Sequence, residues 1–388
     1  ISIISKNFYD FLVDTNDLKY FAASLTGIKK GVLPVWIGMN VMIAAIAVFA
    51  GYAGAIDPEK MPFSGIVAMT FPVWWIANVA CLVINLILCR RLLPVPLAAL
   101  IICIKPFLDF CPLNFRAPEI TPEERLKEFK VLSYNTLSFN DQEPEKSSVY
   151  NRTMHTVLNS DADIVCLLEY ENQGKLKKFM PQSQIDSLYM LYPYQAKGYM
   201  GTVAFSRTPI LHISLPERRR SRGSVEAFRT LVDDKAILVF GVHMESIGLT
   251  TEDKSLYRRL TSMDVSKDEM SEVRSRLVSK LYDAYKNRAM QALFIKDYVE
   301  QMGGNVIVCG DFNDVPGCRA LRILESAGLK DAYAELGLGP TITFNASHFF
   351  FRIDHVLYNG DFKAVKIERG NVPSSDHYPF LTTFVWNK

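Results

Sequence analysis

The sequence has few cysteines and histidines, and neither occurs in a metal-binding pattern. Seven cysteines and six histidines are spread over 388 residues without CxxC or paired Cys/His spacing, which excludes a zinc-finger type of site and leaves buried free thiols as the expectation. GxSxG, Walker A, GxGxxG and HExxH motifs are also absent, so the corresponding serine-hydrolase, P-loop, dinucleotide-binding and zinc-peptidase chemistries are excluded. The net charge of +2 is too small for a protein that coats nucleic acid by charge alone.

Charge is missing from two long stretches near the N-terminus. No Asp, Glu, Lys or Arg occurs in 31–56 or in 61–89. A helix that crosses a bilayer needs about 20 mostly apolar residues, and both stretches are longer. We therefore predict a transmembrane region over 31–112, with helices at about 31–56 and 66–89 joined by a short loop. A buried pair of helices in a globular domain is the alternative.

A third apolar segment, at about 92–110, is less regular. It contains three prolines and Lys105, whose stem can reach the headgroups from a position near the end of a span. We predict a third membrane crossing here, with an interfacial or re-entrant helix as the alternative.

Positive charge around these segments sets the predicted orientation, because short cytoplasmic loops carry an excess of Lys and Arg. The pair Lys29-Lys30 precedes the first span and the pair Arg90-Arg91 follows the second, whereas the loop between them carries a single Lys. The N-terminal segment 1–30 is thus expected in the cytoplasm. Three crossings of the plasma (inner) membrane would place the C-terminal domain on its non-cytoplasmic face, as we predict, and two would keep it inside.

The rest of the chain alternates strand and helix signals. After a predicted linker over 113–129, runs rich in β-branched and aromatic residues predict strands. Apolar positions three and four apart predict a helix at about 271–301 that stops before Gly303-Gly304. The predicted strands are Lys130–Tyr134, Asp163–Glu169, Gly201–Ser206, Ala236–His243, Asn305–Cys309, Arg352–Tyr358 and Pro379–Trp386. This pattern favours one domain over 130–388, with two sheets packed face to face and helices outside.

Residues that can bind a metal or move a proton lie at the ends of these strands. In chain order they are Asn135, Glu169, His243, Asp311 with Asn313, Asp354, and the pair Asp376-His377. A single Asp at a strand end is usually a turn former or a helix cap, but so many in one domain indicate a shared site. Oxygen ligands favour a hard cation, Mg²⁺ or Mn²⁺. Such a cation suits hydrolysis of a phosphoester by direct attack of water.

The motifs around these residues resemble those of the endonuclease/exonuclease/phosphatase superfamily. In order they are SYNT, LLEYEN, GVHMES, GDFND, RIDHV and SDHYP, and the resemblance covers about 128–388. His243 makes the chain most similar to the deoxyribonuclease and sphingomyelinase branches. The resemblance implies a four-layer α/β sandwich of two packed mixed sheets flanked by helices, here preceded by an α-helical transmembrane region, as in a bacterial membrane-anchored member.

The resemblance also implies a role for each residue of the site. Metal ligands would be Asn135, Glu169, Asp311 and Asp376, and catalytic residues would be His243, Asp311, Asn313, Asp354 and His377. Glu169 would be the principal ligand, and Asp311 would position or deprotonate the attacking water. Asn313 would orient the phosphate, which His377, paired with Asp354, would bind or polarise. His243 would donate to a phosphate oxygen or to the leaving group, with Glu245 suggested as its acidic partner.

The substrate stays open between a nucleic acid and a phospholipid headgroup. Nucleic acids are normally held by a basic surface, yet Lys and Arg after position 112 are balanced by Asp and Glu, and the one dense basic run is Arg218–Arg220 with Arg222. A neutral domain tethered to a bilayer suits a lipid headgroup. A membrane-anchored binding module with an inactive catalytic fold is a third alternative, against which the complete set of site residues argues. Residues 244–270 are the expected substrate-facing insertion, and no protein partner is indicated.

Overall fold

The computed structural model describes residues 15–140, 150–170, 176, 178–215, 223–248, 267–346, 349–371 and 374–387. The chain divides into two compact units. The first consists of Ile1–Phe49 and Phe71–Ile104, and the second of Ala50–Thr70 and Lys105–Lys388. The loop between the two predicted spans therefore belongs to the same unit as the C-terminal domain.

Apolar helices form the N-terminal part of the described chain. They are α1 (Thr15–Tyr52), α2 (Ser64–Met69), α3 (Phe71–Leu88), α4 (Pro94–Ile102) and α5 (Ile104–Phe110). The segments Leu33–Ala55 and Phe71–Leu88 are long and apolar enough to cross a membrane, at the two places that the absence of charge predicted. The pair Arg90–Ile102 and Ile104–Phe110 is bent by 57° and could form one further crossing.

Polar side chains inside the first unit are hydrogen-bonded to one another. Trp36 of α1 donates to Asn85 Oδ1 of α3 over 2.8 Å, and Asn85 donates to Asn40 Oδ1 over 2.7 Å. Asn78 of α3 donates to the carbonyl of Ile43 over 3.3 Å. In an apolar environment such bonds join helices that have no hydrophobic reason to associate. They hold α1 and α3 side by side.

The second unit is built on two mixed sheets. Its strands are β1 (Glu128–Asn135), β2 (Ile164–Leu168), β3 (Tyr194–Lys197), β4 (Val203–Ser206), β5 (Ile210–Ile213), β6 (Ser224–Val232), β7 (Lys235–His243), β8 (Asn305–Asp311), β9 (Lys330–Asp331), β10 (Phe344–Ala346), β11 (Phe349–Phe351), β12 (Asp354–Asn359), β13 (Phe362–Arg369) and β14 (Phe380–Trp386). One six-stranded sheet has the order β13-β14-β1-β2-β4-β3, the other the order β5-β6-β7-β8-β12-β9. Strands β10 and β11 form a separate hairpin.

Helices cover the outer face of each sheet. The second unit contains α6 (Pro122–Arg125), α7 (Arg152–Leu158), α8 (Gln182–Leu191), α9 (Lys267–Met302), α10 (Arg319–Ser326) and α11 (Ala332–Leu336). Helices α7 and α8 pack on the first sheet, and α9 and α10 on the second. Residues of both sheets share the central cluster, which includes Cys166 and Val239. Because both faces of β2 and β8 are covered, these strands are almost continuously apolar. The predicted four-layer α/β sandwich is confirmed.

The predicted linker over 113–129 contains ordered contacts and one helix. Leu113 forms an isolated bridge with Leu338, and Asn114 donates to the carbonyls of Ala334 and Gly337. Thr121 caps α6 with its side chain, and β1 begins at Glu128, two residues before the predicted domain boundary. The chain is thus tied to the second unit soon after α5 ends.

All seven cysteines are free, and five of them are buried.

Candidate active site

The ends of adjacent strands bring the predicted site residues together. Asn135 ends β1 and pairs with Leu168, so Glu169 follows directly at the neighbouring strand end. In the second sheet, His243 at the end of β7 is level with Asp311 at the end of parallel β8. Asp354, the first residue of antiparallel β12, also pairs with Asp311. The two sheets therefore contribute to one site at the same edge of the sandwich.

Two carboxylates share one amide at the centre of this site. Asn135 Nδ2 lies 3.2 Å from Glu169 Oε1 and 3.2 Å from Asp311 Oδ2. Asn135 and Asp311 are buried, whereas the Glu169 side chain is about one-third exposed. Buried carboxylates are costly without compensation, and one amide holds two of them together. This pairing crosses from the first sheet to the second.

His243 lies beside the same two carboxylates. Its Nε2 is 3.7 Å from Asp311 Oδ2 and 3.9 Å from Glu169 Oε1. The ring is partly exposed, so it can contact a molecule in the cleft. Glu245, its suggested acidic partner, is buried two residues further on, and its backbone amide donates to Gln291. Glu169 and Asp311 are acidic neighbours of the His243 ring.

A buried His–Asp pair forms the opposite side of the site. His377 Nδ1 lies 2.8 Å from Asp354 Oδ2, and its Nε2 lies 3.6 Å from Asp311 Oδ2. Burial alone would lower the pKa of His377, but Asp354 and Asp311 together raise it to about 10. Burial also raises the pKa of Asp354, against the opposing effect of His377. The neighbouring carboxylates therefore favour the protonated imidazole, in which Nε2–H faces Asp311.

Two site residues have a strained backbone. Glu169 has φ 53° and Asn313 has φ 51°, a left-handed conformation that side chains other than glycine rarely adopt. The Asn313 amide donates to Asp311 Oδ1 over 2.8 Å, and its side-chain Nδ2 donates to the carbonyl of Met244 over 3.0 Å. Such strain persists where the surroundings enforce it, and it concentrates in functional sites.

Three further residues support the site, and the sequence pattern alone had not assigned them a role. Ser375 donates to the carbonyl of Asn135, and its oxygen accepts from the His377 amide. Thr343 Oγ1 accepts from the amides of Ile353 and Asp354 over 2.9 Å each. The Phe344 ring packs on the imidazole with centroids 4.9 Å apart. Ser375 belongs to the SDH motif, which offered a signal, whereas Thr343 and Phe344 lie in no motif.

The residues present fit a divalent cation. Ligand atoms of Asp311, Asp354 and His377 all lie within 4.8 Å of one another. Oδ1 of Asp376 is buried without a hydrogen-bond partner among the described residues. Asn135 brings Glu169 next to Asp311, and clustered carboxylate oxygens of this kind suit a hard cation. The hydrogen bond from Asp354 occupies Nδ1 of His377 and leaves Nε2 facing Asp311, so Glu169 and Asp311 offer the oxygen ligands of the candidate site. Asp376 stays a predicted ligand.

Other polar residues of the motifs have structural contacts. His355 is buried between Asp331 Oδ2, 3.3 Å from Nδ1, and the carbonyl of Asp314, 3.0 Å from Nε2. Arg207 forms ion pairs with Asp161 and Asp163 at 2.8 and 3.2 Å. The basic run 218–222 and most of the predicted insertion 244–270 lie outside the described residues.

Family comparison agrees with this geometry. The model of the Endonuclease/Exonuclease/phosphatase family matches residues 132–377, which is more than half of the chain. The chain belongs to this family, whose members are divalent-metal-dependent phosphoester hydrolases. Residues 32–110 match a second model that is described as a domain of unknown function. A search of curated proteins found no significant match.

Solved structures of the same fold are distant in sequence. An endonuclease/exonuclease/phosphatase from Beutenbergia cavernae is 17% identical with a TM-score of 0.45, over 67% of this chain and 72% of that one. A family protein from Bacteroides thetaiotaomicron is 17% identical with a TM-score of 0.42, over 67% and 98%. Truncated TDP2 from Caenorhabditis elegans is 17% identical with a TM-score of 0.42, over 66% and 98%.

Proposed function

We propose that this protein is a membrane-anchored hydrolase that cleaves a phosphoester by direct attack of water, with Mg²⁺ or Mn²⁺ as its cofactor. The observation that carries the proposal is the joining of Asn135, Glu169 and Asp311 across two sheets by hydrogen bonds of 3.2 Å. Such a carboxylate cluster is a strong cation site. A bound cation would neutralise charge on the phosphoryl oxygens.

The protein's own groups supply the proton transfers of this proposal. Asp311 accepts a proton from the attacking water as the new P–O bond forms. His377, kept cationic by Asp354, donates a hydrogen bond to a phosphoryl oxygen. Asn313 keeps one amide hydrogen free of its bond to Met244 and directs it at the phosphate. His243 donates to the leaving oxygen as the old P–O bond breaks.

Contacts of the loop Ala50–Thr70 support three membrane crossings. This loop packs within the second unit, so it lies on the same side of the membrane as the active site. The chain leaves that side through α3 and must return to it before Lys105. The bent pair α4–α5 supplies the crossing, because a re-entrant segment would leave the loop and the site on opposite faces. Together with the Lys and Arg bias of the loops, these contacts support a site on the non-cytoplasmic face.

A membrane anchor favours a lipid substrate. A catalytic site on a chain that is anchored in a bilayer meets lipid phosphates at a far higher effective concentration than any soluble substrate.

Exposed apolar side chains near Phe344 favour a lipid substrate over a nucleic acid. Phe344 contacts His377, and Phe350 pairs with the adjacent Asn345 in the hairpin of β10 and β11. Phe350 and Ile342, which precedes Phe344 by two residues, are both exposed. Surfaces that hold nucleic acid are polar and strongly basic, whereas exposed apolar patches mark contact with protein or membrane. We therefore assign the phosphoester of a lipid headgroup as the substrate class.

A substrate panel tests the activity and the class together. The full chain in detergent is assayed with bis(p-nitrophenyl) phosphate, a lipid phosphodiester, a lipid phosphomonoester, plasmid DNA and RNA, each with Mg²⁺, Mn²⁺ or EDTA. We expect metal-dependent hydrolysis of the chromogenic ester and of a lipid. Cleavage of nucleic acid in preference to lipid would replace the lipid assignment with a nuclease, and no hydrolysis of any ester would contradict the enzyme.

A further inference from the structure

The loop between the two candidate spans is packed into the catalytic unit. Ala53 and Ala68 of this loop are buried in a cluster with Tyr285, Val315 and Cys318. Lys286 of α9 pairs with Glu59 of the loop at 2.8 Å. Loops on a protein surface usually have few buried apolar side chains, so this loop is part of the fold of the second unit. Its contacts fall on α9 and on the connection from β8 to α10.

Gly54 fits this connection so closely that no other residue can replace it. A Cβ atom on Gly54 would overlap the carbonyl of Gly317 and touch the Cα of Cys318. Next to it, Arg319 donates to the carbonyl of Ala55 over 2.7 Å. These contacts hold the C-terminal end of the connection from outside.

The loop also contacts the connection indirectly, through residues of α9. Gly65 of the loop packs on the ring of Tyr285, leaving no room for a Cβ. Arg288 lies over the same ring at 4.5 Å, and its Nη1 is 3.6 Å from Asp314 Oδ1. Arg288 and Asp314 are both buried, and removal of one partner from a buried pair is strongly destabilising. Asp314 directly follows Asn313 of the active site.

We propose that the loop Ala50–Thr70 is a positioning element of the active site, which holds Asp314–Cys318 and thereby Asp311 and Asn313. What the site does rests on the function proposed above. The connection needs such support, because Asn313 has a positive φ, and a strained backbone relaxes when its surroundings loosen. In this proposal the loop acts through the connection.

Two glycine substitutions, one in the loop and one as a control, test this role in the full chain in detergent. Gly54→Ala forces the loop away from Gly317, whereas Gly38→Ala in α1 meets no atom within 4 Å and serves as the control. We expect Gly54→Ala to lower kcat on soluble bis(p-nitrophenyl) phosphate by at least about tenfold with KM within about twofold, since misplaced catalytic groups affect turnover. Gly38→Ala keeps the wild-type kcat.

Tyr285 gives a second test that does not depend on Gly54→Ala folding. Tyr285→Phe keeps the ring beneath Arg288, and Tyr285→Leu removes it. We expect Tyr285→Phe to retain kcat within about twofold and Tyr285→Leu to lose at least about tenfold. A purely structural role would reduce the thermal midpoint of Tyr285→Leu and leave kcat of the folded protein unchanged, which would overturn the proposal.

Hydrogen exchange separates failure of this inference from failure of the proposed function. In Gly54→Ala and Tyr285→Leu we expect faster exchange at the amides of 312–318, with unchanged exchange in β6 and β7. This measurement needs no substrate, so it stands even if no phosphoester is cleaved. Wild-type exchange at 312–318 in both variants would show that the loop does not hold the connection.

Discussion

Asp311 is the residue on which the contacts of the site converge. It accepts from Asn135 and Asn313 and lies 3.7 and 3.6 Å from the ring nitrogens of His243 and His377. Only 2% of the residue is exposed. A buried carboxylate with two cationic or metal-binding neighbours is suited to holding a water and accepting its proton.

Asp311→Asn is expected to abolish turnover without unfolding the protein. The amide keeps the shape and some hydrogen bonds but cannot take a proton, so kcat on bis(p-nitrophenyl) phosphate should fall by at least about 100-fold. Removal of a negative charge beside Glu169 relieves repulsion, so the thermal midpoint should stay the same or rise. Asp361→Asn, at an exposed position of the second unit, is the matched control. Retained turnover in Asp311→Asn would contradict the assigned base.

Metal binding is expected to be visible without any substrate. A ligand at a hundredfold excess over its Kd stabilises the folded state by about 2.7 kcal/mol, which corresponds to roughly 5 °C or more in the thermal midpoint. Mg²⁺ or Mn²⁺ should raise the midpoint of the wild-type protein, and EDTA should reverse the effect. Glu169→Gln should lose most of the shift. An equal shift in Glu169→Gln would exclude Glu169 as the principal ligand.

The buried Asp331–Arg352 ion pair predicts a pH dependence of stability. Burial would raise the pKa of Asp331, but Arg352 at 2.7 Å and His355 hold it well below its usual range. A depressed pKa contributes stability that is present above the unfolded pKa of about 3.9 and lost as the pH falls towards the folded value. Arg352→Met should therefore cost about 3–5 kcal/mol at pH 7, and its deficit should shrink as the pH approaches 3.

Urea unfolding at several pH values checks this sign, with Arg369→Met, a basic residue at the exposed end of β13, as the control. A deficit of Arg352→Met that grows on acidification would show that Asp331 is not ionised in the folded wild-type protein.

At the scale of elements, strands with continuous apolar sequence were predictable and edge strands were not. The buried strands β2, β7 and β8 appear within one or two residues of the predicted bounds. β13 was missed because it is an edge strand with Lys363, Lys366, Glu368 and Arg369 along its eight residues. β6 was missed because it contains the buried Glu226, whose partner His212 at 2.7 Å comes from another strand. When a buried acidic residue has its partner on another strand, the local sequence pattern does not show that the strand is buried.

In the candidate site, the residues at strand ends were predictable from the sequence, whereas the residues that support them were not. Asn135, Glu169, His243 and Asp311 follow from the rule that polar residues at the ends of adjacent strands meet at one edge. The support from Thr343 and the Arg288–Asp314 pair depends on chain segments that approach only in the folded protein. No spacing in the sequence connects them.

Membrane topology is testable at the same scale. Epitope tags are inserted at Lys60, at Arg91 or after the C-terminus. Because α4–α5 crosses the membrane, we expect the tags at Lys60 and at the C-terminus on one side and the tag at Arg91 on the other. Antibody access in intact and permeabilised cells reports each side, and an untagged chain is the control. If the tag at Lys60 and the C-terminal tag lie on opposite sides, α4–α5 is re-entrant.

At the scale of the whole molecule, the candidate membrane spans and the small net charge both favour a lipid substrate. A soluble enzyme that captures a polyanion relies on long-range attraction by net positive charge. Here the net charge of the whole chain is only +2, and two helices that are long and apolar enough to cross a membrane lie in sequence on either side of a loop that belongs to the catalytic unit. In the proposed function, attachment to the bilayer takes the place of long-range electrostatic attraction of the substrate. The local concentration of headgroups around a tethered site is in the millimolar range or above.

The decisive consequence is that reaction should depend on the bilayer in which the enzyme resides. With the full chain in vesicles, the rate should follow the mole fraction of lipid phosphoester in the same vesicle, and the same lipid in separate vesicles should be cleaved at least about a hundredfold more slowly. A soluble chromogenic ester serves as control, since its hydrolysis should not distinguish the two arrangements. Equal rates on lipid in the same and in separate vesicles would mean that membrane anchoring does not present the substrate, and the exposed side chains of Ile342 and Phe350 would then need another partner.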